Sequence, residues 1–180
     1  MKSVGFEYNS ELEEIKPRAF YGCKLESFTA PLSLKKIGVA AFGACSALKS
    51  FELNEDIQEL GWLCFWGTKI KDLKIPSYVK TTPKQLGLGQ KDLKVLRLPD
   101  GLEIVGDSWF EHTGIERLII SSSVKTLGER AFSGCRQLRE VVFEPGSCLE
   151  RIEECCFKEC GLTRIVIPRS VRYIGGYAFN

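Results

Sequence analysis

Apolar and polar positions in this chain repeat on a period of 22 to 25 residues. The clearest mark is a small residue followed by an aromatic: Ala19-Phe20, Ala41-Phe42, Cys64-Phe65, Ala131-Phe132, Cys156-Phe157 and Ala178-Phe179, with Trp109-Phe110 as a bulkier version. Four residues before the first member of each pair stands an aliphatic, namely Ile15, Ile37, Leu60, Val105, Leu127, Ile152 and Ile174. Glycine often follows that aliphatic (Gly38, Gly61, Gly106, Gly128, Gly175), and a small or polar residue follows the Phe (Cys23, Cys45, Thr68, Thr113, Cys135, Cys160). An alternating segment comes next, as in Leu48-Lys49-Ser50-Phe51-Glu52-Leu53, Leu73-Lys74-Ile75-Pro76 and Ile165-Val166-Ile167-Pro168. Phe65 and Phe110 are 45 residues apart, so a degenerate unit with Gly87 in the aromatic slot lies between them. The 25-residue unit carries two extra residues near Glu144-Pro145, and Val4-Gly5-Phe6-Glu7 leads to Leu12 with the same insertion.

One such unit cannot bury its own apolar face, but stacked units bury a continuous core between neighbours. The alternating segments predict one short strand per unit, with Leu73 and Ile75 inward and Asp72 and Lys74 outward. Proline closes the strand at Pro31, Pro76, Pro99 and Pro168, where a ladder N–H is no longer needed. Helix formers between glycines, as in Gly128-Glu129-Arg130-Ala131-Phe132-Ser133-Gly134, predict about one helical turn on the outer face. The expected fold is an α/β, strand-rich solenoid: parallel strands on a concave face, short helical turns on the convex face, and the Phe plugging between coils. One repeat domain covers 1–180 in about seven to eight units. Neither end shows a polar capping unit, so a fragment of a longer array, or ends covered by another chain, is expected.

The stretch Ser122-Ser123-Val124-Lys125-Thr126-Leu127-Gly128-Glu129-Arg130-Ala131-Phe132-Ser133-Gly134-Cys135-Arg136-Gln137-Leu138 resembles the consensus of the BspA-like leucine-rich repeats, as does Ile167-Pro168 through Ala178-Phe179. The resemblance covers essentially the whole chain. It implies a right-handed superhelix and a surface-associated or secreted protein that works in adhesion and protein binding. Departures are Gly87 for the aromatic, Thr68, Gln90 and Thr113 for the Cys, and Trp109 for the small residue.

Charge narrows the functional classes. Lys and Arg number 25 against 23 Asp and Glu, so nothing draws this chain to nucleic acid or an anionic membrane surface. No apolar run reaches the ~18 residues of a membrane span. The first residues lack the apolar stretch of a signal peptide: either the chain is not secreted, or its leader is left off. That leaves the compartment open between the cytosol, which suits free buried thiols, and the cell surface or outside that the resemblance suggests.

Of the eight cysteines, Cys23, Cys45, Cys135 and Cys160 share one repeat slot, while Cys64 and Cys156 occupy the small-residue slot. They read as small buried hydrophobes with weak S–H donors, although neighbours such as Cys23 and Cys45 lie close enough in the stack for a disulfide. Cys148, Cys155, Cys156 and Cys160 fall close together, yet the repeat already accounts for two of them, so no metal site is expected. Cys148 and Cys155 fall outside the slots and are the expected exposed, modifiable thiols. The one histidine, His112, reads as a loop residue, and any Ser-His-Asp or Cys-His machinery would have to run through it. Glu13-Glu14 and Glu153-Glu154 read as solvated faces, and Trp62, Trp66 and Trp109 as outer-face packing, with Trp66 a candidate for exposure. No catalytic constellation, cofactor motif or metal set emerges, and a non-enzymatic module is expected.

Function is expected on the outward strand positions, because solenoids bind with their concave ladder. One outward row reads Thr29, Glu52, Lys74, Arg97, Ile119, Val142, Val166; its companion reads Ser27, Ser50, Asp72, Val95, Arg117, Glu140, Arg164. The first row passes from polar through the basic Lys74 and Arg97 to three successive aliphatics, the composition of a protein-binding patch. Asp72, Lys74, Val95, Arg97, Arg117, Ile119, Glu140, Val142, Arg164 and Val166 are therefore the candidate partner-binding residues. The alternative is a structural scaffold that stacks end to end through its uncapped units.

Overall fold

A computed structural model describes residues 2–71 and 93–180. The sequence positions Asp72, Lys74 and Gly87 lie outside the described residues.

The described chain forms coils joined by parallel pairing. The outward-and-inward alternation predicted for the segment after each Phe yields β2 (Ser27–Thr29), β4 (Ser50–Glu52), β6 (Val95–Arg97), β8 (Arg117–Ile120) and β10 (Glu140–Phe143). Strand β2 pairs with β4, and the other three form a sheet in the order β10-β8-β6. Register follows the repeat: Phe28 pairs with Phe51, and Leu96 with Leu118 and then Val141. The two-residue strands β1 (Glu14–Ile15), β3 (Lys36–Ile37), β5 (Glu59–Leu60), β7 (Ile104–Val105), β9 (Thr126–Leu127), β11 (Arg151–Ile152) and β12 (Tyr173–Ile174) form a second set of ladders, in two sheets ordered β1-β3-β5 and β12-β11-β9-β7. They carry the repeat aliphatics, and Val105, Leu127 and Ile152 are fully buried within them.

The aromatics stack as a column. Phe20 and Phe42 lie 5.0 Å apart with planes 10° from parallel, and Phe110, Phe132 and Phe157 follow one another at 5.3 Å and 8°. Phe157 and Phe179 continue at 5.5 Å. Each ring thus fills the space between coils that no single unit can close.

The expected helical turns are not formed: among the described residues there is no helix. Backbone conformation gives the reason. The residues two before and two after each Phe have positive φ, as at Arg18 and Gly22, Ala40 and Ala44, Ser108 and His112, Arg130 and Gly134, Cys155 and Glu159. A left-handed residue every fourth position breaks an α-helix, at a cost of roughly 1 kcal/mol or more for a non-glycine. In return the amides alternate in direction. Arg130, Phe132 and Gly134 donate to Glu154, Cys156 and Lys158 of the following coil at 3.0, 2.9 and 2.7 Å. Between them Ala131, Ser133 and Cys135 donate three residues back, to Gly128, Arg130 and Phe132. The convex side is therefore a third inter-coil ladder. A helix would have used those amides internally.

The glycine after each aliphatic marks the closest approach of the coils. A Cβ on Gly38 would lie 2.5 Å from the Pro17 nitrogen, and one on Gly128 would lie 2.7 Å from the Val105 carbonyl oxygen. Trp109 is accommodated in the small-residue slot, fully buried, because its indole lies on Gly106, where a Cβ would collide with it.

Candidate functional site

The strand registers bring the candidate residues into the predicted rows. Val95, Arg117 and Glu140 are in register, and so are Arg97, Ile119 and Val142. Because side chains alternate along a strand, both rows project from the side opposite Leu96, Leu118 and Val141. Ile119 and Val142 sit side by side, each half-buried, while Val95 is about half exposed, at 52%.

Charged side chains frame this apolar pair. Arg117 Nε lies 3.2 Å from Glu140 Oε2, and Arg97 Nη2 lies 2.7 Å from Glu144 Oε1. Lys94 Nζ reaches Glu116 Oε1 at 2.7 Å and also donates to Gln137 Oε1 at 2.8 Å, spanning two coils. On the β2–β4 pair the same rows are polar: Ser27 faces Ser50, and Thr29 Oγ1 donates to Glu52 Oε2 at 3.2 Å. The exposed pairs are worth little in stability, but they fix where charge lies around the apolar centre.

Arg164 and Val166 depart from the sequence reading. Residues 163–167 form no strand, and no backbone hydrogen bond joins them to β10 among the described residues. Val166, 69% exposed, stands apart from the Ile119–Val142 pair instead of extending it. Alternation in sequence favours a strand, but ladder pairing requires the neighbouring coil to approach.

The cysteine slot has a defined duty. Cys45 Sγ donates to the Phe20 carbonyl at 2.9 Å, Cys135 Sγ to that of Phe110 at 3.1 Å, and Cys160 Sγ to that of Phe132 at 3.2 Å. The threonines in the slot donate to the Phe carbonyl of their own coil, Thr68 Oγ1 to Phe65 and Thr113 Oγ1 to Phe110, both at 2.9 Å. All eight cysteines are free thiols. Burial pushes the thiols of Cys45, Cys64 and Cys156 up from their ordinary value, and hydrogen bonding with Cys135, then burial, raises Cys160. Such thiols stay protonated and inert. Cys148 is exposed as expected. Cys155 is not: it is only 5% exposed, because at this repeat position short side chains such as Ala40, Ser108 and Cys155 are covered while Arg18, Arg130 and Tyr177 reach into solvent, and its amide donates to the Gly176 carbonyl in the convex ladder.

His112 is exposed and holds one of the positive-φ positions, its ring lying over Gly134, where a Cβ would collide with it. Among the described residues, no group of three His, Cys, Asp or Glu side chains is placed to hold a metal ion, and no helix is long and apolar enough to cross a membrane. Trp109 is core. Trp62 and Trp66 are half-exposed on the convex side with Tyr21 and Val39, an apolar surface that the row-by-row reading of strands does not find.

The polar turn after each strand is also built by the repeat. Ser121 Oγ donates to the Pro99 carbonyl at 2.9 Å, and Ser123 Oγ to that of Leu102 at 3.0 Å. In the slot of Ser121, Asn54 does both jobs: its Nδ2 donates to Pro31 and, at 3.0 Å, to Leu34.

Comparison with known proteins agrees with this architecture. The structure is similar to a leucine-rich repeat protein of T. pallidum, with a TM-score of 0.67 at 21% identity, covering 96% of this chain and 72% of that one. It is similar to a leucine-rich repeat protein from Eubacterium ventriosum, with a TM-score of 0.57 at 16% identity, covering 97% of this chain and 63% of that one. The pneumococcal vaccine antigen PcpA matches with a TM-score of 0.50 at 20% identity, covering 94% of this chain and 52% of that one. The chain thus spans less than two thirds of the last two proteins. No curated protein sequence matches it. The profile of the BspA type leucine rich repeat region matches residues 2–86 and 88–180 in six copies. With that match, the stacked Phe column and the parallel inter-coil ladders, the chain belongs to the BspA type leucine-rich repeat family.

Proposed function

We propose that this chain is a non-enzymatic recognition or adhesion module that binds a protein partner through its concave strand rows, as part of a surface-associated protein. The observation that carries the reading is the in-register apolar pair Ile119–Val142, bordered by Arg97, Arg117 and Glu140. An apolar centre with a charged rim is the anatomy of a protein-binding patch. Asp72 and Lys74 belong to the same rows by sequence.

Replacing Lys74, Arg97, Ile119 and Val142 together should abolish partner capture while leaving the far-UV circular dichroism unchanged. If capture survives in the folded variant, binding does not use this face.

A further inference from the structure

Two consecutive coils are joined along the Phe157–Phe179 stack and along β11 and β12, yet they separate on the strand side. A cleft of about 840 Å3 opens there, lined by Val141, Phe143, Glu144, Val166, Arg169 and Ser170 among others. Its wall is a free strand edge. The Glu144 amide donates to Ile120 across the β8 side, so the two-residue alternation turns Val142 the same way. The peptide groups of Val141 and Phe143 therefore face the cleft, where no backbone partner meets them among the described residues.

Three further features hold the cleft open or leave it unsatisfied. Arg139 Nη1 donates to the carbonyls of Arg136 and Leu138 at 2.7 and 3.3 Å. In an earlier coil the equivalent carbonyl, that of Leu48, takes the Lys69 amide of the next coil at 2.8 Å. The guanidinium thus replaces an inter-coil bond, and it fits only because Gly161 has no Cβ to collide with it. Ser170 occupies the slot in which Ser33 and Ser123 donate to Leu12 and Leu102, each at 3.0 Å. The Ser170 hydroxyl oxygen is buried and has no partner among the described residues. Finally, residues 161–180 contain Arg164, Arg169 and Arg172 but no Asp or Glu. None of the three is in an ion pair among the described residues, whereas Arg97, Arg117, Arg136 and Arg151 are.

We propose that this cleft takes an extended acidic and apolar peptide segment of a partner protein as an added strand on the free edge of β10. The peptide's backbone meets the amides and carbonyls of Val141 and Phe143, as in other strand-addition complexes. Its apolar side chains pack on Val141, Phe143 and Val166. Its carboxylates meet Arg169, and the Ser170 hydroxyl donates to one of its carbonyls. The inference rests on the reading of the chain as a protein-binding module, but it uses a backbone edge in place of the concave side-chain rows.

The probe is a fluorescein-labelled, end-blocked peptide of alternating valine with aspartate or glutamate, measured by anisotropy against the whole chain. Two companions are used, one with lysine for every acid and one N-methylated at alternate amides. Saturable binding of the acidic peptide is expected, about tenfold or more weaker for both companions. An R169E variant should lose the acidic peptide to a similar extent, with an unchanged melting curve. Equal binding of the N-methylated peptide would reduce the effect to charge attraction and overturn the proposal, as would no binding of the acidic peptide. Hydrogen exchange gives a readout independent of any variant. The Val141 and Phe143 amides should exchange rapidly in the free protein and become protected at saturating peptide. Protection already complete without peptide would mean that residues 163–167 close on β10 themselves, and the cleft would not exist in solution. Peptide binding and partner capture are separate readouts, so failure of the peptide leaves the concave-row reading standing, and loss of that reading leaves the peptide result standing.

Discussion

Thr113 Oγ1 and Cys135 Sγ lie 3.2 Å apart, one coil above the other, and both donate to the carbonyl of Phe110. The cysteine slot of the repeat is thus a donor slot. Cys and Thr both serve in it because each is small and carries one hydrogen for a buried carbonyl. Thr113→Val should cost about 1 kcal/mol, since Cys135 still serves the acceptor. Cys135→Val should cost a similar amount. The double variant should cost more than the sum, because it removes both side-chain donors. Urea denaturation of the double-mutant cycle tests this, and strict additivity would contradict the shared acceptor.

Asn54 condenses two serine contacts into one side chain, and its Oδ1 also accepts from the Asp56 amide at 2.9 Å. Asn54→Ala leaves the Pro31 and Leu34 carbonyls without their side-chain donor and should cost about 2–3 kcal/mol. Asn54→Ser can remake only the Pro31 bond, as Ser121 does with Pro99, so it should recover part of the loss. Equal midpoints for the alanine and serine variants would refute that assignment.

Gly128→Ala puts a methyl 2.7 Å from the Val105 carbonyl oxygen, a backbone atom that can move only if the coils part. A loss of about 1–3 kcal/mol is expected. Gly5→Ala, with nothing within 4 Å of the added Cβ, should fall within about 0.5 kcal/mol of the parent. Thermal melts of the two variants side by side measure the difference.

A thiol reagent at about pH 8 should label Cys148 first. Cys64, Cys155 and Cys156 should react only on unfolding, since all three are buried. Cys148→Ser should remove the fast phase. Its persistence would place a second reactive thiol at the surface.

Exposed ion pairs set the pH response. Lys35 beside Glu13, and Arg136 beside Glu159, hold those carboxyls below their ordinary value. Their contribution is present above the ordinary carboxylate value and is lost as pH falls through the lowered one. Glu59 and Glu103 hold Lys36 and Lys125 above the ordinary lysine value, so that contribution persists to high pH and is lost as pH rises through the raised value. Urea midpoints should be flat near neutrality and decline from about pH 5 toward about pH 3. The decline should be shallow and should flatten further in about 1 M salt, because every pair is exposed.

The strand rows were readable from sequence because their information is local. A period of two sends Val95 and Arg97 to one side and Leu96 to the other whatever else the chain does. Val166 shows the limit. Its segment alternates as well as any, yet the Arg139 guanidinium holds a carbonyl that the next coil would take, and nothing in the pattern announces that. Cys155 shows another limit, since its burial follows from its short side chain at a position where Arg18, Arg130 and Tyr177 are exposed.

By itself the sequence determined the period, the aromatic column, the register and the cysteine slots. Each of these is forced by apolar side chains that must be covered by identical neighbours. Tertiary structure alone decided the convex backbone. Residues as different as Leu63, Arg130 and Tyr177 all take positive φ there. No side-chain preference explains it. Turning every second amide toward the adjacent coil recovers hydrogen bonds that a helical turn would have kept to itself, and that gain exists only when the next coil is present.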